Sequence, residues 1–159
     1  MEASAWPTEP AERVRLLVER VIEELQLEGE VAIVEDEDVI TATVEGDADY
    51  GLLIGRRGQT IVALQLLCFQ AAFQGIRERK RVVLDAAGYR ARREEVISER
   101  ADRAAEKAIS SGEEVELDPM TARERRIVHE HLKPRTEVET FSAGDEPQRR
   151  VVVAPLVSE

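Results

Sequence analysis

The chain has 159 residues, 43% of them hydrophobic, 35% charged and 4% aromatic, with a net charge of −11. That length supports one or two small domains, and that apolar fraction supports a packed core, which excludes a large multidomain enzyme and wholesale disorder. The charge is uneven: residues 1–50 carry 15 acids against 3 bases, residues 51–93 carry 2 acids against 9 bases, and residues 94–159 carry 16 acids against 10 bases. An acidic far field opposes indiscriminate binding of a polyanion, whereas the basic central block favours a local anion site.

In chain order, residues 10–27 read as an amphipathic helix with Val14, Leu17, Val18, Val21, Ile22 and Leu25 on one stripe. Thr8 is its expected cap, Pro10 lies in its first turn and Gly29 follows its end. Residues 30–35 and 38–45 are rich in β-branched side chains around an acidic turn, which predicts a β-hairpin. A short apolar piece, Leu52 to Ile54, ends at Gly55. An uninterrupted apolar stretch over 59–74 then predicts a mostly buried helix, and 81–86 a strand.

Beyond Gly88, a long helix is expected over 89–111 and a short strand over 114–117. The capping-box spacing of Thr121 and Glu124 starts a further helix that stops before Pro134. Residues 136–141 and 149–154 complete a second hairpin around the turn SAGDEPQ. The elements imply an α+β fold with a boundary near residue 87. No run reaches 18 apolar residues, so no membrane insertion is expected. The N-terminus lacks a secretion-signal pattern. The single cysteine, Cys68, excludes an internal disulfide and fits a reducing cytoplasm; it reads as a small core residue.

The tetrapeptide Gly55-Arg56-Arg57-Gly58 is the most informative. Glycine lets the chain turn tightly and approach another backbone, the following helix offers N–H groups and a positive dipole end, and guanidinium groups suit phosphate. The same tetrapeptide also fits an ordinary helix–helix turn. Leu53, Ile54, Ile61 and Val62 are either core or the floor of a groove beside it. Arg77, Arg79, Lys80 and Arg81 either extend a phosphate track or are exposed turn charges.

Context favours the functional reading. A GxxG turn between a short and a long helix, after a hairpin and before a strand, resembles a KH domain of the type II order, whose loop clamps about four nucleotides of backbone. The stretch IGRRGQTIVALQLL carries that resemblance. Arg125 and His129, four apart on one helical face, resemble the signature of the RxxxH-motif single-stranded nucleic-acid-binding domain. The two modules in this order, with RVVLDAAGYRARREE at the junction and ELDPMTARERRIVH in the second, are similar to the Jag/KhpB family of bacterial RNA-binding proteins.

The resemblance implies an extension (1–9), a type II KH domain (10–87), an RxxxH-motif domain (88–154) and a tail (155–159). It also implies a short form without the additional N-terminal domain that many members carry. It places RNA contacts at Ile54, Gly55, Arg56, Arg57, Gly58 and Gln59, and at Arg125 and His129. It implies a cytoplasmic RNA chaperone or post-transcriptional regulator linked to cell-envelope growth, cell shape and cell length. Single-stranded RNA is the expected partner, with single-stranded DNA open at the second module. A homodimer and a smaller single-KH partner are both open.

The sequence has no phosphate-binding GxxxxGK[ST] loop, HExxH, CxxC or GxSxG, so no catalysis, cofactor or metal is expected. His129 and His131, two apart, should point in different directions. The competing reading is a protein-interaction adaptor that uses its acidic N-terminal helix and hairpin.

Overall fold

The structure, a computed structural model, describes residues 6–156. The ends of the N-terminal extension and of the C-terminal tail therefore lie outside the described residues. The fold is α+β, and the chain divides into two compact units, Met1–Arg90 and Ala91–Glu159. The division falls slightly beyond the boundary read near residue 87, because Tyr89 and Arg90 pack back onto the first unit.

The first unit runs α1 (Pro10–Glu24), β1 (Glu30–Glu35), β2 (Val39–Glu45), α2 (Gly51–Ile54), a 3₁₀ turn (Arg56–Gly58), α3 (Gln59–Ala72) and β3 (Arg81–Ala86). Its sheet has the order β1-β2-β3, with β1 antiparallel and β3 parallel to β2. The parallel pair needs a crossover, and α2 and α3 supply it. Val14, Val18 and Ile22 of α1 and Ile61, Leu64 and Cys68 of α3 form one core with Ile40, Ala42, Val44, Val82 and Leu84 of the sheet. Burial pushes the Cys68 thiol up to about 12, so it stays a neutral core side chain.

Both ends of α1 differ from the sequence reading. The cap is Glu9, not Thr8, and its side chain makes no capping bond. Pro10 at the first helical position forces the residue before it into extended backbone. The helix closes at Glu24 because Gln26 takes a positive φ of 55°. Leu27 N–H then bonds the Ile22 carbonyl and Gln26 N–H the Glu23 carbonyl. Gly29 serves another purpose: a Cβ there would come within 2.5 Å of the Tyr50 hydroxyl. Tyr50 in turn donates to the Glu28 carbonyl at 2.8 Å.

The second unit contains most of α4 (Tyr89–Ser111), β4 (Val115–Glu116), α5 (Ala122–Leu132), β5 (Val138–Ala143) and β6 (Arg150–Pro155). Its sheet has the order β4-β6-β5, antiparallel throughout. Ala101, Ala104, Ala105 and Ala108 let α4 pack closely, and Val128, Leu132, Val138, Val151 and Val153 complete the core. The capping box forms as expected: Thr121 Oγ1 accepts from Glu124 N–H, and Glu124 Oε2 accepts from Thr121 N–H at 2.9 Å. Glu124 also pairs with Arg93 at 2.8 Å, with both side chains largely buried. The second hairpin opens at Val138, slightly later than the sequence suggests.

The segment Gly51–Ala72 is long and apolar enough, by composition, to cross a membrane, which the sequence reading did not anticipate. It is not one continuous helix, because Gly55, Arg57 and Gly58 all take positive φ and break it. Leu53, Ile61, Leu64 and Cys68 in it are core residues.

Candidate nucleic-acid interface

The Gly55–Gly58 turn is built by local sterics. Gly55 has φ 73° and ψ 173°, Arg57 φ 54° and ψ 27°, and Gly58 φ 76° and ψ 15°. A Cβ at Gly55 would collide with the Thr60 side chain. At Gly58 it would lie 2.7 Å from the Tyr89 hydroxyl and 2.9 Å from the ring. Glycine is therefore required twice, for conformation and for space. Between the glycines, Arg56 and Arg57 are exposed.

The main chain of this turn differs in one respect from the sequence reading. Gly58 N–H donates to the Gly55 carbonyl at 3.1 Å, and Gln59 N–H to the Arg56 carbonyl, so the tight turn itself uses these two donors. The cationic groups that the turn presents to solvent are the guanidiniums of Arg56 and Arg57, with Gln59 exposed beside them.

The four apolar candidates divide cleanly. Leu53 and Ile61 are buried core, Ile54 is half-buried against that core, and Val62 is half exposed. Leu52, Val62, Leu66 and Leu67 form exposed apolar surface on α2 and α3, with fractional exposures of 68%, 50%, 59% and 60%. The later basic residues lie beyond the other end of α3, about 21 Å from the turn at roughly 1.5 Å per residue. There Lys80 pairs with Glu35 at 2.8 Å and Arg79 sits over the Phe69 ring. They are turn charges, not a continuous track from the glycines.

Arg125 and His129 share one face of α5, but their roles differ from a simple exposed pair. Arg125 is nearly buried. Its Nη1 donates to the Met120 carbonyl at 2.8 Å, and its Nη2 donates to Glu146 Oε1 at 2.6 Å. His129 lies against β5, with Nδ1 2.7 Å from Thr140 Oγ1 and Nε2 3.2 Å from Ser142 Oγ. Burial, then the charge of Arg125, holds the His129 pKa below the ordinary 6.5. The imidazole is therefore a neutral hydrogen-bonding group near pH 7. His131 points away to Asp102, which also holds Arg135, as the two-residue spacing requires. Among the described residues no group of three or more His, Cys, Asp or Glu is placed to hold a metal ion.

The family model of the RxxxH-motif domain matches residues 95–155, within the second unit. The chain is 28% identical over 148 residues to RNA-binding protein KhpB of Bacillus subtilis (strain 168), covering 92% of this chain and 71% of that protein. It is 38% identical over 120 residues to RNA-binding protein KhpB of Clostridium symbiosum, covering 76% of this chain and 54% of that one. The chain belongs to the Jag/KhpB family. A third Jag/KhpB relative, RNA-binding protein KhpB of Lactiplantibacillus plantarum, is 42% identical over 104 residues, which cover 65% of this chain and 32% of that protein. The chain thus spans about half the length or less of some curated relatives it matches.

Three residues of this Jag/KhpB chain matter to the candidate interface and were not singled out from sequence. Tyr89 fills the space behind Gly58. Gln65 Oε1 accepts from Leu84 N–H at 3.0 Å on the edge strand β3 and also from Arg90. Glu146 faces Arg125. Tyr89 and Gln65 lie in stretches that carry the family resemblance, whereas Glu146 sits in a turn whose composition says only that it turns.

Proposed function

We propose that this chain binds single-stranded RNA, with the first unit acting as a type II KH domain. Its exposed guanidiniums, Arg56 and Arg57, hold backbone phosphates, while Ile54 and Val62 offer aliphatic contact to bases. Gly55, Gly58 and Gln59 shape the seat. The single observation that carries this reading is the exposed Arg56-Arg57 pair on a glycine turn of an otherwise acidic chain. The helix–strand–strand–helix–turn–helix–strand order and the names of the relatives support it. The second unit, around Arg125 and His129, contributes further contacts to single-stranded nucleic acid, with single-stranded DNA an open ligand there.

The cellular role follows from the family: a cytoplasmic RNA chaperone or post-transcriptional regulator serving cell-envelope growth, cell shape and cell length, not an enzyme. The exposed Leu66 and Leu67 of α3 support pairing with a second copy or a single-KH protein. Leu67→Glu should shift a dimer to monomer by size-exclusion chromatography with light scattering.

The test of the main reading is binding of a fluorescent oligouridylate to Arg56→Asp/Arg57→Asp. We expect at least about a tenfold loss at low salt and a salt slope shallower by about 1.4, for two single-strand phosphates. Unchanged affinity and slope with the fold intact by circular dichroism would reject it. A second reading, the adaptor, is favoured by one observation: Glu28, Glu30, Glu45 and Asp47 line a single groove in the first unit. That reading requires capture of a basic protein that Glu30→Lys abolishes, with RNA binding absent.

A further inference from the structure

The contact between Arg125 and Glu146 has the chemistry of an anion seat that is already taken. The Glu146 carboxylate approaches the guanidinium from the solvent side. Its own side chain is 59% exposed, while that of Arg125 is 10% exposed. A carboxylate oxygen 2.6 Å from Nη2 makes the same charge-assisted bond that a phosphate oxygen would make. The two anions cannot occupy that nitrogen together.

Two further observations separate this contact from a structural brace. The turn that carries Glu146 holds its own shape: Gln148 N–H donates to the Asp145 carbonyl at 2.8 Å, and Arg149 Nη1 donates to the Gly144 carbonyl at 3.1 Å. Met120 N–H also ties it down by donating to the Arg149 carbonyl at 3.1 Å. Arg125, for its part, keeps its bond to the Met120 carbonyl without any help from Glu146. An ion pair with one largely exposed partner adds little to stability, so its main consequence is to occupy the guanidinium.

We propose that Glu146 is a built-in competitor: its carboxylate covers the phosphate seat on Arg125 and sets how tightly the second unit holds a nucleotide backbone. The inference rests on the proposed nucleic-acid reading and specifies which residue limits that site. A strand that supplies a phosphate at Arg125 displaces Glu146 into solvent, which its side chain already meets over more than half its surface. One acidic side chain thus makes the second unit selective for ligands that can deliver several phosphates at once over free anions.

The experiment uses the full chain in the Arg56→Asp/Arg57→Asp background, so that residual binding reports the second unit. Glu146→Gln keeps the shape and removes the charge; Glu146→Ala is the second variant. Both should raise oligouridylate affinity by about threefold or more and steepen the salt slope by about 0.7, the increment for one added phosphate on a single strand. Adding Arg125→Gln should remove the gain. In parallel, inorganic phosphate titrated into the Glu146→Gln protein should give saturable NMR shifts at the Arg125 side chain and His129 ring that the Glu146-containing protein lacks. RNA binding that stays equal or weakens in both variants, with their folds intact and no phosphate shifts, would overturn the competitor. Phosphate shifts without any RNA binding by the unmutated chain would uphold the seat and reject the nucleic-acid reading instead.

Discussion

The two units both present arginine to the candidate ligand, and they do so in opposite ways. In the first, Arg56 and Arg57 stand exposed on a turn whose shape is fixed by glycine sterics and by Tyr89. In the second, Arg125 is drawn into the protein, bonded to a carbonyl and faced by a carboxylate. A guanidinium on an exposed, sterically fixed turn meets a ligand at the surface. One that is buried and paired also orders its surroundings, because its charge helps to keep His129 neutral. The chemistry of a motif residue is therefore set by its backbone and neighbours more than by its type.

The sharpest way to break this contrast is at the glycines. Gly58→Ala should cost about 2 kcal/mol or more, because it forces a Cβ onto Tyr89 at positive φ. Chemical denaturation would measure that loss, and a Tyr89→Ala partner mutation should recover part of it. Next in size is Glu124→Ala in the second unit, which removes the capping box and the Arg93 pair together. About 2 kcal/mol is expected, with α5 losing protection in hydrogen exchange. By contrast, Arg56→Asp/Arg57→Asp should change stability by less than about 0.5 kcal/mol while weakening RNA binding, since both residues are exposed.

The smallest effect is on pH dependence. Burial and Arg125 lower the His129 pKa below 6.5 in the folded chain, so the folded state disfavours the imidazolium. That contribution is complete above about pH 6.5 and is lost as pH falls through the folded-state value. Melting temperature should therefore decline on acidification from about pH 7 towards about pH 5.5. His129→Asn should flatten the decline; an unchanged slope would remove His129 as its cause.

Much of the fold was legible because local chemistry and tertiary packing agree. The stripe of Val14, Val18 and Ile22, the β-branched strands, the capping box of Thr121 and Glu124, and the glycine turn all follow from short-range spacing. The end of α1 at Gln26 was not legible, since a non-glycine residue took the left-handed position while the nearby glycine was needed for Tyr50. The candidate site divides the same way. The glycine pair and the four-residue spacing of Arg125 and His129 are visible in the chain, but the partners that decide their chemistry arrive from far away in sequence. Tyr89 reaches Gly58, Thr140 and Ser142 reach His129, and Glu146 reaches Arg125. No local pattern encodes such meetings.

The most direct test of the central claim is a titration of the isotopically labelled full chain with an unstructured oligoribonucleotide, followed by amide and arginine side-chain NMR. The account predicts that the largest shifts cluster at Gly55 through Gln59 and at the Arg56 and Arg57 side chains, and that they reverse at high salt. Shifts confined to the acidic groove at Glu28, Glu30, Glu45 and Asp47, or absent from the glycine turn, would contradict it.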